Sequence, residues 1–179
     1  MCGITGIIHK NTRSDGLAPV GEELIDMLDS LAHRGRDSTG VTVAGEECSE
    51  DLILRLWTDG RADEEFFARV EEKVVECGGS IKSKRLDDQY ARLTADYEGD
   101  IKALAEALIE TTDVHIHSIG RVSEVVKDLN TALDVDQKHA VRNLHGTHGI
   151  GHVRMATESR VDINHSHPFW AYPFPDITV

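Results

Sequence analysis

Thr147-His-Gly-Ile-Gly-His-Val-Arg-Met-Ala156 reads as a strand whose alternation sends His152, Arg154 and Ala156 to one face and Val153 and Met155 to the other. A guanidinium on such a strand needs an anion. A carboxylate matches its fork best, which leaves two partners open for Arg154, a substrate carboxylate or a structural Asp or Glu. Thr157 and His167 can border the same pocket. Working outward, residues 4–8 are apolar around Gly6 and form a short strand two residues after the initiator methionine, so the N-terminus is anchored. Residues 22–33 place Leu24, Leu28 and Leu31 at helical spacing, with acids at the start and Arg34-Gly35 at the end. Thr39-Gly-Val-Thr-Val-Ala44 is a strand, and Asp51-Leu-Ile-Leu-Arg-Leu-Trp57 reads as its hairpin partner across an acidic loop holding Cys48.

The middle of the chain changes character. Phe66, Val70, Val74 and Cys77 make one helical stripe stopped by Gly78-Gly79, and Leu86, Tyr90, Leu93 and Tyr97 make a second. Ile101, Leu104, Ala105 and Leu108 make a third, followed by an alternating strand, Val114-His-Ile-His-Ser-Ile119, and a fourth stripe through Val122, Val125, Val126, Leu129 and Leu133. Residues 58–145 therefore read as a helix-rich α/β insertion, packed on a core made of residues 1–57 and 146–179. No repeat of 20 to 50 residues is present. Four of the nine aromatics fall within residues 169–174, a concentration that suits the wall of a site. Asp176-Ile-Thr-Val179 then reads as the opening of a strand without a partner, and the chain as cut there.

Composition narrows the function. The 179 residues carry 32 Asp+Glu against 19 Lys+Arg, a formal net charge of −13, and none of the bases forms a run, which argues against duplex nucleic acid as a partner. The longest apolar run is far short of the roughly 18 residues of a membrane-spanning helix. Three cysteines, Cys2, Cys48 and Cys77, cannot all pair, and no signal segment precedes them, so a reducing cytoplasm is the expected compartment. The acid-dominated surface also suits high salt.

Cys2 is the first candidate for chemistry. Removal of Met1 leaves a thiol beside a free α-amine of pKa about 7.7–8.0, so nucleophile and base come from one residue; an incidental cysteine near a terminus is the competing reading. His145, His148, His152, His165 and His167 raise a zinc site, but Gly146, Gly149 and Gly151 forbid the helix that an i, i+4 pair needs and no cysteine is near, so no metal is expected. Gly146-Thr-His-Gly-Ile-Gly151 has the wrong glycine order for a dinucleotide loop and runs into a strand instead of opening a helix.

Met1-Cys-Gly-Ile-Thr-Gly6, Arg34-Gly-Arg-Asp-Ser-Thr-Gly40, Gly149-Ile-Gly-His-Val-Arg-Met-Ala-Thr157 and His165-Ser-His-Pro-Phe169, in this order, resemble the class II glutamine amidotransferases. The Met-Ala-Thr-Glu-Ser159 variant looks most like the amidotransferase subunits related to glutamate synthase and methylglutamate synthase. The resemblance covers residues 1–57 and 146–179. It implies an α+β fold, the N-terminal-nucleophile hydrolase αββα sandwich, incomplete in this chain and interrupted by the insertion.

Carried over, the resemblance makes Cys2 the nucleophile that attacks the side-chain amide of glutamine, with its own α-amine handling the proton. Arg154 clamps the glutamine α-carboxylate, Thr157 assists it, and His167 lines the pocket. Arg34 and Asp37 support the N-terminal strand and the pocket floor. Glu158 stands where several relatives have histidine. The family's Asn-Gly oxyanion pair, and the acid that takes the glutamine α-amine, have no counterpart in this sequence. The implied activity is release of ammonia from L-glutamine for a partner synthase, with no cofactor, in a chain completed by further sequence or by another polypeptide. The alternative is a non-catalytic subunit that keeps the pocket to sense glutamine.

Overall fold

In the computed structural model, residues 2–10, 16–45, 51–156 and 160–179 are described. They form an α+β structure with two four-stranded antiparallel sheets, in strand order β1-β8-β2-β7 and β4-β5-β3-β6. The first sheet is built from β1 (Gly3–Ile8), β2 (Ser38–Ala44), β7 (Ser123–Leu129) and β8 (His148–Arg154). The second contains β3 (Asp51–Trp57), β4 (Ser80–Asp87), β5 (Tyr90–Asp96) and β6 (His115–Gly120). Backbone contacts divide the chain into two compact units, one of Met1–Glu46, Val125–Phe169 and Thr178–Val179, the other of Glu47–Glu124 and Trp170–Ile177.

In the first unit, β8 is central. Gly3 lies opposite Val153 on one side and Thr39 opposite Val153 on the other, and the pairing continues to Ile8 and Ala44 against His148. Helix α1 (Val20–Ser30) buries Val20, Leu24, Ile25 and Leu28 at one-turn spacing, with Glu22 and Glu23 in its positive first turn. These side chains share a core with Val41, Val43, Val126 and Val153, so α1 covers the face from which His152 and Arg154 point away. Helix α4 (Ala132–His139) opens with a Thr131–Asp134 capping box and adds Ala132 and Val135 to that core.

In the second unit, α2 (Glu64–Glu76) starts under the Asp63 carboxylate, which accepts from the N–H groups of Glu65 and Phe66, and Asp100 caps α3 (Ile101–Ile109) in the same way. Phe66, Val70 and Val74 of α2 and Leu104 and Leu108 of α3 bury against Leu52, Leu54, Leu56, Leu93 and Ile119. The opposite face of the sheet carries charge. Arg55 and Arg92, directly paired across β3 and β5, both donate through Nε to one carboxylate oxygen of Glu124, at 2.7 and 2.8 Å.

Four readings are corrected. Residues 51–57 do form a strand, but β3 pairs with β5 and β6, not with β2. Leu86, Tyr90 and Leu93 belong to the β4–β5 hairpin, which Tyr97 directly follows, and not to a helix: Ala91, Leu93 and Ala95 alternate into the core, and small alanines hide that period-2 signal from a search for large apolar residues. Ser123–Leu129, within the fourth stripe, is likewise strand β7, in which Ser123 through Asp128 are all buried. Burial on both faces removes the alternation by which a strand is recognised. Residues 58–145 thus hold four strands besides α2, α3 and α4. The terminal segment, read as partnerless, has a partner, because Val179 and Phe169 exchange both backbone hydrogen bonds, at 2.7 and 2.8 Å.

Candidate functional site

Register brings three motifs to one end of the first sheet. Gly3 pairs with Val153, and Ser38 pairs with Arg154, so Cys2, Arg154 and Ser38 meet at the same end of β1, β8 and β2. Cys2 is exposed, and Arg154 is buried. The Arg154 Nη2 donates to the backbone oxygen of Arg160 at 3.2 Å. Asp37 holds the strand end in place: its N–H donates to Arg154 O at 3.0 Å, and its carboxylate accepts from Ala156 N at 2.6 Å. Arg34 ends a short 3-10 turn and is exposed, and among the described residues its side chain makes no hydrogen bond or ion pair. Thr157 and Glu158 lie outside the described residues.

One rung along, His152 pairs with Gly40. A Cβ on Gly40 would sit 2.1 Å from the backbone oxygen of His167, so the missing side chain is what lets residues 166–169 cross the sheet face here. His167, itself exposed, brings its ring to 5.0 Å from that of His152 and 4.4 Å from that of Phe169. His152 is buried, and its Nδ1 has no hydrogen-bond partner among the described residues; the Ser38 hydroxyl next to Arg154 is in the same condition. Burial, reinforced by His167 and Arg154, lowers the His152 pKa to about 4 and keeps the ring neutral at pH 7. A face with unpartnered buried polar atoms beside an arginine has capacity for a polar ligand.

Cys2 and Arg154 are thus brought together at one end, with His167 beside His152 on the adjoining rung and Asp37 bonded to the backbone that follows Arg154. Lys127 completes that adjoining rung and was not legible as part of it, because residues 122–133 carry a helical pattern of apolar residues. Ser38 belongs to the Arg34–Gly40 motif, whose register against Arg154 is the only sign of its place. No group of three or more His, Cys, Asp or Glu among the described residues is arranged to hold a metal ion.

No family model matches the chain. It is 31% identical over 188 residues to a protein of Methanothermobacter thermautotrophicus described as "Putative glutamine amidotransferase", covering 100% of this chain and 60% of the relative. It is 32% identical over 170 residues to the "Glutamine amidotransferase-like protein GlxB" of Rhizobium meliloti, covering 94% of this chain and 54% of the relative. The chain therefore spans little more than half the length of these relatives, and the similarity supports a glutamine amidotransferase-like domain. No helix among the described residues is long and apolar enough to cross a membrane.

Proposed function

We propose that this chain is the glutamine-hydrolysing part of a class II amidotransferase, with an N-terminal-nucleophile hydrolase fold. The observation that carries the reading is the convergence of Cys2 and Arg154 at one end of paired strands. Once Met1 is removed, the α-amine of Cys2 takes the thiol proton, and the sulfur attacks the side-chain amide carbon of glutamine. The amine returns the proton to the leaving nitrogen as the C–N bond breaks, so ammonia departs and a thioester remains. Water then attacks the thioester, releasing glutamate and regenerating the thiol. Arg154 holds the α-carboxylate with its two-pronged donor, Thr157 and His167 border the pocket, and Asp37 fixes the backbone beyond Arg154. A synthase subunit or domain consumes the ammonia.

Intact mass should show a chain beginning at Cys2, and Cys2→Ala should abolish ammonia release from glutamine with cooperative unfolding intact. Arg154→Lys loses the fork while keeping the charge, so it should raise KM for glutamine about 10- to 100-fold, the equivalent of one charge-assisted hydrogen bond. An unchanged KM would remove Arg154 from the carboxylate, and full activity with Met1 retained would refute the amine as base. Glutamine binding without turnover in the native chain would favour a sensor.

A further inference from the structure

Lys127 is a lysine in the wrong place for a structural residue. It is only 5% exposed, and its Nζ donates to the backbone oxygen of Ser166 at 2.8 Å. The ammonium also lies 4.6 Å from the centroid of the Phe169 ring. Among the described residues no carboxylate pairs with it, and burial pulls its pKa down to about 8. A methionine would fill the same volume without desolvating an ammonium, so packing alone gives no reason for a lysine here.

Its two contacts bracket a third residue. Ser166 and Phe169 enclose His167, and the Gly40 gap lets this segment lie against the sheet, where a Cβ would also stand 2.8 Å from Lys127 Cβ. The segment is tied at its start as well: Asp162 accepts from His165 N at 3.0 Å, and Ser166, fully buried, donates its hydroxyl to Asp162 O at 3.2 Å. His167 is exposed, yet its ring stands at a defined 5.0 Å from His152. We propose that Lys127 is a positioning residue that clamps residues 166–169 to the sheet face and thereby sets His167 against His152 at the candidate pocket. The consequence for glutamine rests on the function proposed above, whereas the clamp itself does not.

Side-chain nitrogen NMR of the native chain tests the clamp without substrate. The His167 ring signals, assigned by their loss in His167→Ala, should move toward free-histidine values in Lys127→Met, while those of His145 stay in place. Unmoved His167 signals would overturn the proposal. If Lys127→Met does not fold, Lys127→Gln, shorter and uncharged, withdraws the donor from Ser166 O without touching the His167 ring and carries the same test, with the same reversal if the His167 signals stay put. In kinetics, Lys127→Met and His167→Ala should each raise KM for glutamine about tenfold, as for one lost polar contact, with kcat within about twofold. The double variant should show no further rise, because the lysine acts through the histidine; a product of the two separate effects would overturn that coupling. Moved His167 signals in a protein whose native form releases no ammonia would keep the clamp and reject the glutaminase reading.

Discussion

His152 shows how burial converts a common side chain into a pH-sensitive one. In the unfolded chain it takes a proton near pH 6.5, whereas in the folded chain desolvation first, then His167 and Arg154, hold its pKa at about 4. Between those values the unfolded state binds more protons, so stability falls as pH drops from 6.5 to 4. His152→Asn removes this linkage. Thermal unfolding followed from pH 7 to pH 4 should show a shallower loss of Tm in the variant than in the native chain, and parallel curves would place the ring in a more polar setting than the structure gives. His152 could be placed on the Arg154 face from alternation, but the histidine facing it, His167, comes from a segment that no periodicity connects to β8.

Helix α1 illustrates a contest between local propensity and packing. Its pattern of Val20, Leu24, Ile25 and Leu28 is legible because one face is buried and the other is not. Gly21, in its first turn, should by propensity alone gain about 1 kcal/mol on replacement by alanine. Space decides otherwise, since a Cβ there would lie 1.9 Å from Val141 O, and the Gly21 N–H already donates to Leu144 O at 2.9 Å. Backbone must shift to admit it, so Gly21→Ala should destabilise by about 1–3 kcal/mol in urea unfolding, in the manner of overpacked cores. A stabilised variant would mean that the 141–144 turn yields freely. The elements that misled, β5 and β7, did so for opposite reasons: the first hides its alternation in alanines, and the second has none because Ser123 through Asp128 are all buried.

Charge acts on the molecule as a whole. With 32 acids against 19 bases, like-charge repulsion opposes compaction, and it is screened within about 10 Å at 0.1 M salt. Raising sodium chloride to about 0.5 M should therefore raise Tm, by about 2–4 °C for each kcal/mol of repulsion removed. A falling Tm would show that local pairs such as Arg55–Glu124 and Arg142–Asp26, at 2.7 and 2.6 Å, outweigh the net charge. Each compact unit has its own apolar cluster, one around α1, the other around α2 and α3, while Glu124 and Asp128 are acids buried on β7.

Amphipathic α1, α2 and α3 can be read from residue order because each buries one face, and the strands β1, β2, β3, β6 and β8 because each is a short run of apolar and β-branched residues. The four motifs around Cys2, Arg34–Gly40, Arg154 and His167 are legible in the same way, as residue types in order. Strand partners are not, since pairing depends on which edges meet, and β3 joined β5 and β6 in a sheet apart from its sequence neighbour β2. The rung of His152, Gly40 and Lys127 exists only because β8, β2 and β7, far apart in the chain, lie side by side. Long-range pairing alone sets that neighbourhood, and with it the burial that leaves a lysine holding a backbone carbonyl.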